Sequence, residues 1–175
     1  LHPKKGIENL FSALKVLDDR TISLAVCGTG DEAYARTLRQ MVLDLGLAGQ
    51  VSFLGHVDGE EKMKAFMQAD ACVVPSYTEN FGMVVVEALA HGVPVIASQG
   101  TPWAEVGERQ CGLWVDNAPE SLIKAIRTLR GRDLAEMGAR GRIWMKPEFS
   151  WDAIAGKMLG VYRRMADGNG AAGSR

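Results

Sequence analysis

Five short apolar runs alternate along the chain with segments whose hydrophobic residues return every three or four positions. Ile7, Leu10, Phe11, Leu14 and Leu17 share one face at a 3.6-residue period and predict an amphipathic helix over 7–17. Leu38, Met41, Val42 and Leu45 do the same for 32–45, with Gly46 suited to the helix end. Further helices are expected over 60–68, 82–90, 119–129, 134–144 and 150–165, the last two separated by Pro147. The apolar runs at 21–28, 51–57, 71–76, 94–98 and 112–116 read as strands. They are nearly continuous rather than alternating. Continuous runs between helices predict an α/β fold, a Rossmann-like parallel β-sheet with helices on both faces. Ligands of such sheets bind beyond the carboxyl ends of the strands, so chemistry is expected in the loops that follow them.

Composition narrows the classes of function. The 175 residues suffice for one domain, expected over 1–167, with a small polar tail at 168–175 predicted to be flexible. Net charge is −1 and no basic run occurs, so neither nucleic acid nor a polybasic membrane contact is expected. No apolar run approaches the roughly 18 residues of a membrane span, and no apolar region after Leu1–Gly6 marks a signal peptide. The opening residues enter a helix abruptly, and the chain is expected to be part of a longer protein. Cys27, Cys72 and Cys111 stand far apart in apolar runs and are expected to be buried free thiols of a reducing compartment. His2, His56 and His91 share no ligand spacing and no Asp-x-Asp occurs, so no metal site is expected.

Two loops carry candidate chemistry. Gly28–Ala33, "GTGDEA", follows a strand and satisfies G-x-G-x-x-A. It reads either as a dinucleotide turn, which would make the chain an NAD-dependent nucleotide-sugar enzyme, or as a plain strand-to-helix turn with Asp31 as N-cap. Asp31 would set negative charge beside a pyrophosphate, and Asp58 comes late for the ribose carboxylate. The second loop, "PSYTENFG" at 75–82, leads into a helix. The N–H groups of Gly82, Met83 and Val84 are expected to face the crevice, where a helix N-terminus favours anions, and Asn80 is expected to cap the turn. Glu79 lies in this loop. Glu87 lies more than a helical turn further on, among Val84, Val85, Val86, Ala88 and Leu89. A carboxylate there needs donors, and the vicinal hydroxyls of a ribose would supply them. The plain alternative is a polar helix face, which Met83, Ala90 and His91 make only weakly polar.

Glu79 and Glu87 enclose seven residues, and the stretch "ENFGMVVVE" followed by "ALAHGVPVIAS" resembles the E-x7-E signature of retaining, nucleotide-sugar-dependent glycosyltransferases of the GT-B fold, family 4, the glycosyl transferases group 1. "KKGIENLFSAL", "LAVCGTGD", "VSFLGHV", "TPWAEV", "CGLWVDNAPESLIKAI" and "FSWDAIAGKM" resemble further family segments in the same order, so the resemblance covers nearly the whole chain.

The resemblance implies the C-terminal, donor-binding half of such an enzyme, with the N-terminal acceptor-binding domain outside this chain. It implies transfer of a sugar, a hexosyl group, from a UDP- or GDP-linked donor to an acceptor hydroxyl, with no cofactor. Lys5 would pair with the donor diphosphate and Glu79 would face the transferred sugar; these are the implied catalytic residues. Glu87 would hold the ribose. Asn80, Phe81, Gly82 and Met83 would meet sugar hydroxyls and phosphate oxygens, Gly55, His56 and Val57 the base, and Gly28 and Gly30 would line the donor cleft. The family's diphosphate Arg would fall just before Leu1. The isolated chain is therefore expected to be inactive in transfer. Membership also implies cell-surface polysaccharide or lipopolysaccharide synthesis in the cytoplasm or at the inner membrane face, with any peripheral membrane contact made by the absent domain. A Rossmann-like binding module without transfer chemistry remains the other reading.

Overall fold

The computed structural model describes residues 1–170. A 3-10 turn at Pro3–Lys5 precedes α1 (Ile7–Leu17), β1 (Leu24–Cys27), α2 (Glu32–Asp44), β2 (Val51–Gly55), α3 (Gly59–Met67), β3 (Cys72–Val74) and α4 (Met83–Ala90). Then come β4 (Val95–Ser98), α5 (Glu105–Glu108), β5 (Gly112–Val115), α6 (Pro119–Arg130), α7 (Leu134–Phe149) and α8 (Trp151–Gly170). The alternating order is the expected α/β order. The 3-10 turn and α5 are additions too short for a periodic signal. The tail expected at 168–175 begins on the last residues of α8 and otherwise lies outside the described residues.

All strand pairs are parallel, in two ladders: β1–β2, and β3–β4–β5 in that order. The larger ladder is buried on both faces. Ile96 packs with Leu10, Ala13, Leu122, Ile123 and Leu129 of α1 and α6. Its neighbours Val95 and Ala97 point the other way, to Val85, Leu89, Trp144 and Met145 of α4 and α7. Every residue of β4 is buried, which is why its sequence is apolar up to the closing Ser98. Val95 and Ile96 each contribute about 1.5–3 kcal/mol by leaving water.

The smaller ladder differs. Val26 and Val51 pack against Phe11, Leu14, Leu38 and Val42 of α1 and α2. On the opposite face Ala25, Cys27, Ser52 and Leu54 are exposed. The expectation of helices on both faces therefore holds for β3–β4–β5, while β1–β2 alternates between buried and exposed positions. Its exposed positions carry small or polar residues apart from Leu54. Cys27 corrects the expectation of buried thiols: it is exposed, Cys72 is half-buried and Cys111 is buried. Burial pushes the Cys111 thiol up to about 11.

Helix α1 joins the two ladders. Leu10 and Ala13 enter the cluster over β4, while Phe11 and Leu14 enter the cluster over β1. Four buried apolar residues on one amphipathic helix thus serve two adjoining cores. Pro147 does not end a helix as expected. Helix α7 continues through it to Phe149, and the chain turns extended at Ser150. Among the described residues, no helix is long and apolar enough to cross a membrane.

Candidate functional site

The loop after β3 is pinned from three directions. The Tyr77 amide donates to the Lys4 carbonyl at 2.8 Å, and the Glu79 amide donates to the Gly100 carbonyl at 2.8 Å. The Trp103 indole donates to the Phe81 carbonyl. Trp103 is only 4% exposed and sits in an aromatic cluster, 5.2 Å from Phe81, 5.8 Å from Trp144 and 5.9 Å from Phe149 between ring centroids. Gly82 ends the loop at φ 78°, ψ 60°, the left-handed region. A Cβ there would stand 3.3 Å from the Trp103 indole nitrogen, so both backbone angle and space favour glycine. No side chain caps α4, so Asn80, which is exposed, does not play the capping role expected of it. A carbonyl-anchored loop with Gly at its end takes the place of a side-chain cap.

Lys5 reaches this loop because the 3-10 turn closes on Gly6. Gly6 has φ 61°, and a Cβ on it would lie 2.3 Å from the Pro75 carbonyl oxygen and 2.5 Å from Asn117 Nδ2. Glycine alone lets the turn lie this close to the end of β3. The Lys5 ammonium then pairs with Glu79 Oε1, and the Ser76 hydroxyl donates to the same oxygen at 3.0 Å. The Glu79 side chain is 12% exposed. Burial pushes its pKa up, but the bonds from Lys5 and Ser76 and the charges of Lys5 and Lys4 outweigh it and hold the carboxyl below its ordinary value of 4.5. Glu79 is therefore an ionised, oriented carboxylate.

Glu87 is more open, 31% exposed, with Val85, Val86, Ala88 and Leu89 buried around it. The Lys62 ammonium from α3 lies 2.7 Å from Glu87 Oε1. The charge that looked isolated in the sequence has a cation partner 25 residues away.

The glycines of the first two strands meet. The Gly28 amide donates to the Gly55 carbonyl at 2.6 Å, at the carboxyl ends of β1 and β2. Gly30 is covered by Leu1: a Cβ on it would lie 1.9 Å from the Leu1 carbonyl oxygen, and the Leu1 nitrogen donates to the Thr29 carbonyl. Residues 1–6 thus run from the glycine turn after β1 to Glu79 after β3, bringing both loops to one edge of the fold. Asp31 caps α2, accepting from the Tyr34 amide at 2.8 Å, as the plain strand-to-helix reading requires. His56 is exposed and lies 3.4 Å from Asp58, and Val57 is half-buried. Phe81 and Met83 are exposed at 41% and 59%.

Sequence reasoning missed Ser76, Ser98, Lys62 and the anchoring role of Trp103. Ser76, three residues before Glu79 in a loop, carried a local signal; Lys62 carried none, since α3 offers several charged residues. Among the described residues, no group of three or more His, Cys, Asp or Glu side chains is placed to hold a metal ion. Two surface pockets of ≈ 390 and ≈ 350 Å³ lie against α7 and are lined by none of the expected site residues.

The family model of glycosyl transferases group 1 matches residues 1–158. A GDP-mannose-dependent α-(1-6)-phosphatidylinositol monomannoside mannosyltransferase of Mycobacterium tuberculosis is 35% identical over 93% of this chain and 45% of its own length. Sucrose-phosphate synthase of Thermosynechococcus elongatus superposes with a TM-score of 0.85 at 32% identity, over 95% of this chain and 44% of its own. HepE of Anabaena, solved with UDP and glucose, has the same fold, with a TM-score of 0.83 at 24% identity over 94% of this chain and 46% of its own. The chain spans a little under half the length of each. An edge that gathers the post-strand loops, and a match running through all five strands, place this chain in the glycosyl transferases group 1 family, as a Rossmann-like half of the GT-B fold.

Proposed function

We propose that this chain, over about residues 1–167, is the donor-binding half of a retaining glycosyltransferase that moves a hexosyl group from a nucleotide diphosphate sugar to an acceptor hydroxyl. The observation that carries the reading is the convergence of Lys5 and Ser76 on the Glu79 carboxylate, in the loop that opens α4. A cation, an anion and an uncapped helix N-terminus side by side suit a ligand with a sugar at one end and a diphosphate at the other.

In this reading the donor diphosphate draws the Lys5 ammonium from Glu79. Lys5 and the first amides of α4 then stabilise the charge that grows as the bond between anomeric carbon and diphosphate oxygen breaks. The acceptor oxygen bonds to that carbon, and its hydroxyl proton passes to the departing diphosphate oxygen. Glu79 faces the sugar, Glu87 the ribose hydroxyls, and the Gly55–Val57 segment the base. The Asn80–Met83 backbone meets the sugar and phosphate oxygens, and Gly28 and Gly30 border the cleft. The relative named for GDP-mannose supports a nucleotide diphosphate donor. The acceptor site belongs to the remainder of a longer protein, so the chain alone binds donor without transferring it. Cell-envelope glycan synthesis on the cytoplasmic side is the proposed setting.

Calorimetry with UDP, GDP and their sugars, on this chain and on the chain extended upstream, tests the reading. One nucleotide is expected to bind, and Glu87→Ala is expected to weaken it at least about tenfold, the loss of one charge-assisted contact. Binding of neither nucleotide, or an unchanged affinity in Glu87→Ala, overturns it.

A further inference from the structure

Three buried hydroxyls run in series toward Glu79. Thr101, 3% exposed, donates from Oγ1 to the Ser98 carbonyl at 2.7 Å. Ser98, 1% exposed at the end of β4, donates to the Ser76 carbonyl. Ser76, 1% exposed in the loop just after β3, donates to Glu79 Oε1 at 3.0 Å. The Glu79 amide is held separately, by the Gly100 carbonyl. Oε1 takes both Lys5 and Ser76, and among the described residues Oε2 takes no hydrogen bond.

The two partners of Oε1 differ in freedom. Lys5 is a flexible side chain, 41% exposed, whose ammonium suits a diphosphate better than a lone carboxylate. Ser76 is enclosed and its backbone is tied to β4. Building on the donor-binding reading above, we propose that Ser76 is the positioning residue that keeps the Glu79 carboxylate aimed at the transferred sugar once Lys5 has moved to the donor diphosphate. A largely buried carboxylate that lost its paired cation would otherwise rotate freely or take up a proton. The Ser76 hydroxyl holds Oε1 through the exchange and leaves Oε2 to the sugar.

The test is a carbon-13 NMR titration of the Glu79 side-chain carboxyl, with and without saturating UDP or GDP, in the wild-type chain, Ser76→Ala, Ser76→Cys and Ser98→Ala. Ser76→Ala is expected to raise the Glu79 midpoint by about one pH unit without nucleotide and by more with it. Ser76→Cys, a weaker donor of similar size, is expected to fall between Ala and wild type. Ser98→Ala removes an equally buried hydroxyl from the same series and is expected to move the midpoint by less than about a third of a unit. A midpoint unmoved in Ser76→Ala, or moved equally by Ser98→Ala, overturns the inference. Should Ser76→Ala fail to fold, the same comparison is read from Ser76→Cys against Ser98→Ala. Failure of every form to bind nucleotide overturns the functional reading and this inference with it. Nucleotide binding with an unmoved titration overturns this inference alone.

Discussion

The two carboxylates of the signature are each paired to a lysine distant in sequence, yet the pairs are built differently. Lys5–Glu79 rests on backbone: a turn closed by a left-handed Gly6, a loop anchored to Lys4, Gly100 and Trp103, and a buried hydroxyl on the same oxygen. Lys62–Glu87 joins two helix side chains, 38% and 31% exposed, and among the described residues the hydrogen bond between them is the one the Glu87 carboxylate makes. The first pair is embedded in the fold, so disturbing it disturbs structure. The second lies on top of the fold and can be removed with little structural consequence. In the proposed reading, that contrast suits an anchored carboxylate for the sugar and an adaptable one for the ribose.

The largest blow to the contrast falls on Gly6. In Gly6→Ala the new methyl meets the Pro75 carbonyl and the chain must leave φ 61° or strain there. A loss of roughly 3 kcal/mol of stability is expected from clash and strain together. Urea denaturation measures it, and a loss under about 1 kcal/mol would mean the turn is not locked as described.

A smaller effect separates the pairs by pH. The Glu79 carboxyl sits below its ordinary value of 4.5 in the folded chain. Its contribution to stability is therefore complete above that value and disappears as pH falls through the folded pKa. Between pH 6 and pH 3 the wild type is expected to lose about 1 kcal/mol more than Glu79→Gln, a figure reduced for the partial exposure of Lys5. Equal losses in paired denaturation series would show that the pair adds nothing.

The smallest effect is expected at Lys62. Lys62→Met removes a half-exposed ion pair and should change stability by less than about 0.5 kcal/mol. A loss near that of Gly6→Ala would erase the distinction between the two carboxylates.

Much of the scaffold was legible in advance. The bounds of α1 follow from its apolar period, and α4 begins directly after the glycine where the loop ends. Strands came out shorter than their apolar runs, since flanking residues such as Ala71 and Pro94 are apolar without pairing in the ladder. Pro147 misled because a proline removes one donor but need not stop a helix held by packing, and α7 packs through Met137, Trp144 and Met145. Cys27 misled because an apolar run does not say which of its faces is covered.

The candidate site divides along the same line. By itself the sequence determined the order of strands and helices, the loops that hold Glu79 and Glu87, and the glycines those loops require, because period, turn chemistry and backbone freedom are local properties. Tertiary structure alone decided that Lys5 meets Glu79 across 74 residues, that Lys62 meets Glu87, and that Ser98 braces Ser76. These contacts depend on how the ladders and the turn at Gly6 come together in space, and a charge or hydroxyl in the chain carries no mark of the partner that packing will bring to it.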